Sequence, residues 1–298
     1  MQPTEPAPGR ATARDWVILV KPGIMVALLI SALTAMVVAA GGLPPPDLVG
    51  SVAAGGALAS GSAATLNNLL ERDRDRKMRR TRKRALPSHR IEVSHAAIFA
   101  TALAGASVLV LSTWANALSA ALAFSGILFY AFVYTHWLKP LTPQNIVIGG
   151  AAGCFPALVG WSAVTGDLSL GALLLALIVF LWTPPHFWSL ALLYRDDYAQ
   201  AEIPMLPVTH GDEVTRRQIL AYSVVLVAAT AALYPLGVLG AVYLAASLAL
   251  GALFVGWAVV LLVRRGRGPA RALFRYSNVY LALLGAAMVA DVVLRVAA

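Results

Sequence analysis

Apolar residues in this chain gather in long runs, and the polar residues are pushed into the gaps between them. Nine runs, at about 23–40, 48–69, 93–113, 115–134, 145–164, 169–193, 218–238, 240–263 and 274–296, are each long enough to cross a hydrocarbon layer of ~30 Å as a helix. The breaks carry turn formers or charge: GGLPPPD at 41–47, the charged 71–92 stretch, HWLKPLTPQ at 136–144, TGD at 165–167, the 194–217 loop and RRGRGPAR at 264–271. A bilayer leaves the backbone no partner but itself, so runs of this length predict helices. The fold expected is all-α and polytopic: nine transmembrane helices around a central cavity, with cap loops on one face.

Composition agrees, since 59% of the residues are hydrophobic and only 12% charged. Residues 1–14 are polar and Pro-rich and read as a disordered tail, which leaves 15–298 as one transmembrane domain. Cys154 is the single cysteine and sits in an apolar run, which excludes a disulfide framework. The second run is dense in Gly and Ser, residues that let helices approach closely.

Charge then orients the chain. With nine spans, every Lys and Arg except Arg295, of 23 in all, falls on the face shared by the N-terminus and the loops after the second, fourth, sixth and eighth spans. That asymmetry predicts a cytoplasmic location for this face, in a bacterial inner membrane. The net charge of +9 is therefore a topology signal and not a nucleic-acid footprint.

Within the basic face, NNLLERDRDRKMRRTRKR at 67–84 mixes acids with bases at helical spacing. Asn67, Glu71 and Asp75 fall four residues apart, within about 80° of one helix face, whereas Asp73 points elsewhere. Oxygen donors in a stripe, followed by Arg80, Lys83 and Arg84, suit a Mg²⁺-bound diphosphate: carboxylates and an amide hold the hard cation, and guanidinium and ammonium groups hold phosphate oxygens. A charge cluster that only fixes topology needs the bases but not the acids. A second acidic pair, Asp196 and Asp197 beside Arg195, closes the sixth span on the same face, and Lys21 precedes the first span within reach of a phosphate. Two acidic clusters sharing one diphosphate through metal would assist a leaving group. His186, in WTPPHFW, lies about 10 Å inside the sixth span, where an imidazole needs a partner or a ligand. His136 and His210 read as solvated.

These residues resemble a known family. Asn67-x-x-x-Glu71-x-x-x-Asp75 followed by Met78-x-Arg80-Thr81-x-x-Arg84 is similar to the first motif of the intramembrane, UbiA-type prenyltransferases. Tyr134-Thr135-x-x-Leu138-Lys139, Asn145 to Gly150, Pro156 with Gly160-Trp161, Leu181-Trp182-x-x-Pro185-His186, Asp197-Tyr198 and Ile203 to Pro207 resemble the branch that farnesylates haem. The resemblance covers about 15–295. Glu71 stands where Asp is commoner, and the second motif, usually Asp-x-x-x-Asp, survives only as Asp196 and Asp197.

The resemblance implies a reaction: farnesyl diphosphate alkylates a vinyl group of haem b and water adds, giving haem O for terminal oxidases. It implies Mg²⁺, or Mn²⁺ in its place, on Asn67, Glu71, Asp75, Asp196 and Asp197. It implies diphosphate contacts from Lys21, Arg80, Lys83, Arg84, Lys139 and Arg195, and haem contacts from His186, Tyr134 and Trp182. A farnesyl cation would need aromatic walls, for which Trp137, Trp161, Trp182, Phe187 and Trp188 are the candidates. Expected partners are farnesyl diphosphate, haem b and the bilayer, with haem A synthase or oxidase assembly factors downstream. Prenyl transfer to an aromatic quinone precursor and a non-enzymatic haem chaperone are the alternatives; the chaperone would need His186 but not the acidic stripe. A transporter would carry its polar groups near the midplane of several helices, and here they cluster at one face. Both substrates are amphipathic anions, so one cavity is expected, open sideways to lipid and capped by 71–92 and 194–217, with Gly211 freeing the second cap to move.

Overall fold

A computed structural model describes residues 11–297. Among them the elements are helical throughout. In chain order they are α1 (Ala13–Leu19), α2 (Pro22–Ala40), α3 (Pro46–Lys77), α4 (Val93–Trp114), α5 (Ala117–Leu141), α6 (Asn145–Thr165) and α7 (Leu170–Leu193). Two short helices, α8 (Arg195–Gln200) and α9 (Leu206–Thr209), precede α10 (Gly211–Ala232), α11 (Ala241–Arg264) and α12 (Arg267–Ala297). Most of the tail expected over 1–14 lies outside the described residues. Its end is ordered: Thr12 and Asp15 form a reciprocal cap that opens α1.

Among the described residues, eight helices are long and apolar enough to span a membrane. The nine expected spans all have a helical counterpart, but the seventh, α10, misses that standard because Asp212, Glu213, Arg216 and Arg217 occupy its first two turns. Its apolar part still packs between α7 and α11. The ring closes because α12 touches both α7 and α2, while α2 also packs on α3 and α6. Apolar side chains such as Ile24, Phe132, Leu253 and Val263 face outward, as a lipid solvent allows.

The small residues of α3 serve close approach. A Cβ on Gly55 would lie 2.5 Å from Leu111 Cγ on α4, and Ser107 of α4 donates to the Gly55 carbonyl at 2.8 Å. Length places the site. α3 has 32 residues, and at about 1.5 Å each it outruns a ~30 Å layer by several turns. Asn67 stands 21 positions after Pro46, about 32 Å along the axis, so the acidic stripe starts near the layer's polar edge.

The first cap is fastened from below. Ala85, Leu86 and Ile91 bury with Leu19 and Ala96, and Arg90 pairs with Asp15 at 2.8 Å. The Arg90 guanidinium, with help from Thr12, holds the Asp15 carboxyl down to about 2 against the opposing effect of burial.

Gly160 tests the packing. A Cβ there would lie 2.0 Å from the backbone oxygen of Ala32. Gly160→Ala is therefore expected to push α2 from α6 and cost about 1–3 kcal/mol, read as a lower unfolding temperature in detergent; an unchanged temperature would refute the contact.

Candidate active site

α3 stays helical to Lys77, so the sequence spacing becomes real geometry. Asn67, Glu71 and Asp75 are 2%, 5% and 3% exposed, while the Asp73 side chain is 70% exposed and pairs with its helix neighbours Arg72 and Arg76. Each member of the buried stripe meets a cation. Lys21 donates to Asn67 Oδ1 at 2.5 Å, Lys139 pairs with Glu71, and Arg84 pairs with Asp75 at 2.9 Å. Arg84 also donates to Asn68 Oδ1 at 3.3 Å. Buried charges survive only when compensated in this way.

Local backbone features deliver those cations. Lys21 has φ +52°, unusual for a residue with a Cβ, and Pro22 then starts α2, so the chain turns and aims the amine at α3. Burial first, and the nearby Arg84 and Lys139 cations, push the Lys21 amine down to about 7 against the pull of Glu71 and Asp75. Lys139 comes from α5, whose residues Phe129–Leu138 wind as a π-helix. Such wide turns recur at functional sites. Here the turn is closed by Thr135 Oγ1 donating to the Tyr130 carbonyl at 2.7 Å. That hydroxyl's one proton is spent, so Thr135 accepts from Asn67 Nδ2 at 2.9 Å, which leaves Asn67 Oδ1 facing Lys21.

The two acidic segments meet across the polar face. The Arg80 backbone N–H donates to Asp197 at 3.4 Å, its guanidinium lies 5.0 Å over the Tyr194 ring, and Lys77 pairs with Glu202 at 2.8 Å. Asp196 is exposed, and Lys83 points outward. Arg195 turns away from the stripe toward Asp212, at 3.3 Å. The sequence places Asp196 at the metal and Lys83 and Arg195 at the diphosphate; in the structure it is Lys21, Lys139 and Arg84 that gather on the stripe, Arg80 and Asp197 lie at its rim, and Arg195 pairs with Asp212 of α10 instead. Among the described residues, no three His, Cys, Asp or Glu side chains gather closely enough to hold a metal by themselves.

The aromatic walls also differ from expectation. Trp137 is 60% exposed, Trp161 is buried against Gly171, and Trp188 meets Tyr222 of α10. The rings near Glu71 and Lys139 are tyrosines: Tyr130 stacks on Tyr134 at 5.5 Å, and Lys139 lies 5.9 Å from the Tyr134 ring centre. Gly149 makes room, since a Cβ there would sit 2.1 Å from Tyr134 Cδ2. Trp182 and His186 stack on each other farther along α7, where Ser277 of α12 holds both: Trp182 donates to its carbonyl at 2.8 Å and His186 Nδ1 lies 2.7 Å from its hydroxyl. Pro184 and Pro185 sit inside α7 without ending it. Residues missed from sequence are Tyr130, Asn68 and Ser277, all neutral; Asn68 lies in the charged 67–84 stretch but off the i, i+4, i+8 stripe. His136 and His210 are exposed, as expected.

A sequence profile described as the UbiA prenyltransferase family matches residues 28–284. A protein named protoheme IX farnesyltransferase from a Nostoc species is 52% identical over 92% of this chain and 86% of its own. One of the same name from Gloeobacter violaceus is 51% identical, covering 94% and 92%. Among solved structures, an apo UbiA homologue from Aeropyrum pernix superposes with TM-score 0.73 at 20% identity, over 91% of this chain and 98% of that one. A homologue from Archaeoglobus fulgidus, solved with GPP and Mg²⁺, gives 0.63 at 15%, over 92% and 99%. At such identities these two structures support the fold.

Burial separates the two nearest carboxylates. Asp75→Ala is expected to reduce prenyl diphosphate turnover at least a hundredfold, on the order of 3 kcal/mol, and Asp73→Asn to leave it within about threefold. Steady-state kinetics on both purified variants checks this; equal losses would dissolve the stripe.

Proposed function

The chain belongs to the UbiA prenyltransferase family, and on that premise we propose that it transfers the farnesyl group of farnesyl diphosphate to a vinyl group of haem b, forming haem O. The observation that carries the reading is the buried Asn67–Glu71–Asp75 stripe with Lys21, Lys139 and Arg84 set against it. The relatives named protoheme IX farnesyltransferase, about half identical over nearly the full chain, support haem as the acceptor over a quinone precursor.

The donor set suits a divalent cation. Two carboxylates and an amide oxygen are hard ligands that would hold such a cation together with the diphosphate. Mg²⁺ is the cation of choice, with Mn²⁺ able to replace it; when bound, it neutralises charge developing on the departing diphosphate. The protein's own groups do the rest. Lys21, Lys139 and Arg84, freed from the stripe, bind phosphate oxygens and stabilise the leaving group. Arg80 and Asp197 join the two caps over it. Tyr130 and Tyr134 offer π faces to the allylic cation as the bond between C1 and oxygen breaks. C1 then bonds to the terminal vinyl carbon, water adds to the inner carbon and releases a proton, and diphosphate departs.

The basic face is cytoplasmic in this proposal, since only Arg295 lies opposite. Lys83 is exposed, so Lys83→Cys is expected to react with an impermeant thiol reagent in inside-out vesicles but not in intact cells. The reverse pattern would invert the topology.

Purified protein given farnesyl diphosphate, haem b and Mg²⁺ is expected to yield haem O, identified by a mass gain of one farnesyl group plus one hydroxyl. Prenylation of an aromatic quinone precursor instead would reassign the acceptor, and prenylation of neither would refute the proposal.

A further inference from the structure

His186 is built into its place more tightly than a packing histidine requires. Trp182 lies 4.3 Å from its ring centre at 18°, and Phe274 lies 4.8 Å away at 30°. Two near-parallel rings this close, not stacked on each other, take opposite faces of the imidazole. Phe187 meets it edge-on at 5.3 Å. The Nδ1 edge is tied to Ser277 Oγ at 2.7 Å. Only the Nε2 edge is left, and among the described residues it makes no hydrogen bond, although the residue keeps 9% of its surface accessible.

The Ser277 hydroxyl decides the tautomer. Its oxygen lies 2.7 Å from the Phe274 carbonyl as well as 2.7 Å from His186 Nδ1. A carbonyl cannot donate, so that contact is favourable only if Ser277 gives it its single proton. The hydroxyl must then accept from His186, which puts the imidazole proton on Nδ1 and the lone pair on Nε2. Ordinary metal-binding histidines are arranged in this way: one nitrogen is fixed by a protein acceptor and the other is presented to the metal.

We infer that Ser277 holds His186 as the Nδ1–H tautomer so that Nε2 serves as an axial ligand to the iron of the haem substrate. The inference rests on haem being the acceptor and adds the ligating atom and its positioning residue. Iron ligation would fix the macrocycle through its centre and leave the vinyl edge to be aimed by the surrounding walls. The Trp182 and Phe274 faces restrict tilt, and Trp182 is itself pinned by its bond to the Ser277 carbonyl. One residue of α12 therefore orients both the ligand and the ring beside it.

The test separates ligation from packing by comparing haem b with iron-free protoporphyrin IX, titrated into purified protein and followed optically. His186→Ala is expected to weaken haem b binding at least tenfold and abolish the nitrogen-ligated iron spectrum, with little change for protoporphyrin IX. Ser277→Ala is expected to weaken haem b binding by about tenfold with the same selectivity, and Ser277→Thr, which keeps the hydroxyl, to restore it. Should His186→Ala fail to fold, ¹⁵N-histidine spectra of the wild-type protein read the tautomer directly, with protonated Nδ1 expected. A protonated Nε2, or equal losses for haem b and protoporphyrin IX, would overturn the inference. Haem O formation with an iron spectrum unchanged by His186→Ala would overturn it while leaving the proposed function standing; absence of both haem binding and haem O would remove the proposed function as well.

Discussion

Everything at the polar end of this bundle depends on one constraint: a carboxylate buried beside hydrocarbon must have a cation of its own. Glu71 has Lys139 and Asp75 has Arg84, while Lys21 reaches the amide of Asn67. Each cation comes from a different part of the chain, so meeting the constraint brings the α1–α2 turn, the first cap and the π-helical end of α5 together on α3. Breaking one pair would strand a buried charge, a cost of about 3–5 kcal/mol. In the proposed function the same pairs would receive a metal diphosphate. Such a ligand would bring a cation for the carboxylates and an anion for the ammonium and guanidinium groups, so both sets would exchange partners and neither would be left bare.

The π-helix shows how the fold serves that exchange. An α-helical 129–138 would place Tyr130, Tyr134, Thr135 and Lys139 at different angles around the axis. The wider turn lets Thr135 reach the Tyr130 carbonyl, orient the Asn67 amide and bring Lys139 to Glu71 within the same stretch. Gly149 keeps the space that the Tyr134 ring then fills. The cap loops complete the enclosure through Arg80 and Asp197, and the apolar anchor of Leu86 and Ile91 under the first cap keeps Arg84 at Asp75.

Much of this was legible in the sequence, because a bilayer permits few solutions. Long apolar runs could only be helices, and i, i+4, i+8 spacing could only put Asn67, Glu71 and Asp75 on one face once α3 continued past the layer. Less legible were contacts set by choice among nearby partners. Arg195 had a closer acid in Asp212 than any in the stripe, and Trp137 is exposed although its ring alone marked it as a candidate wall. Thr135, Asn68 and Ser277 act through single hydroxyl and amide protons, which leave no trace in charge or hydropathy. The polar start of α10 blurred the seventh span for a related reason: its first turns belong to the cap and only its later ones to the bundle.

The partner-exchange account is tested most directly by calorimetric binding of farnesyl diphosphate to the purified protein, with Mg²⁺ and then in excess chelator, on wild type and on Glu71→Gln. Wild-type affinity is expected to rise at least tenfold with Mg²⁺, about 1.4 kcal/mol, and Glu71→Gln to lose most of that gain. Equal wild-type affinity with and without the metal would contradict the account, because the carboxylates would then have no reason to release their cations.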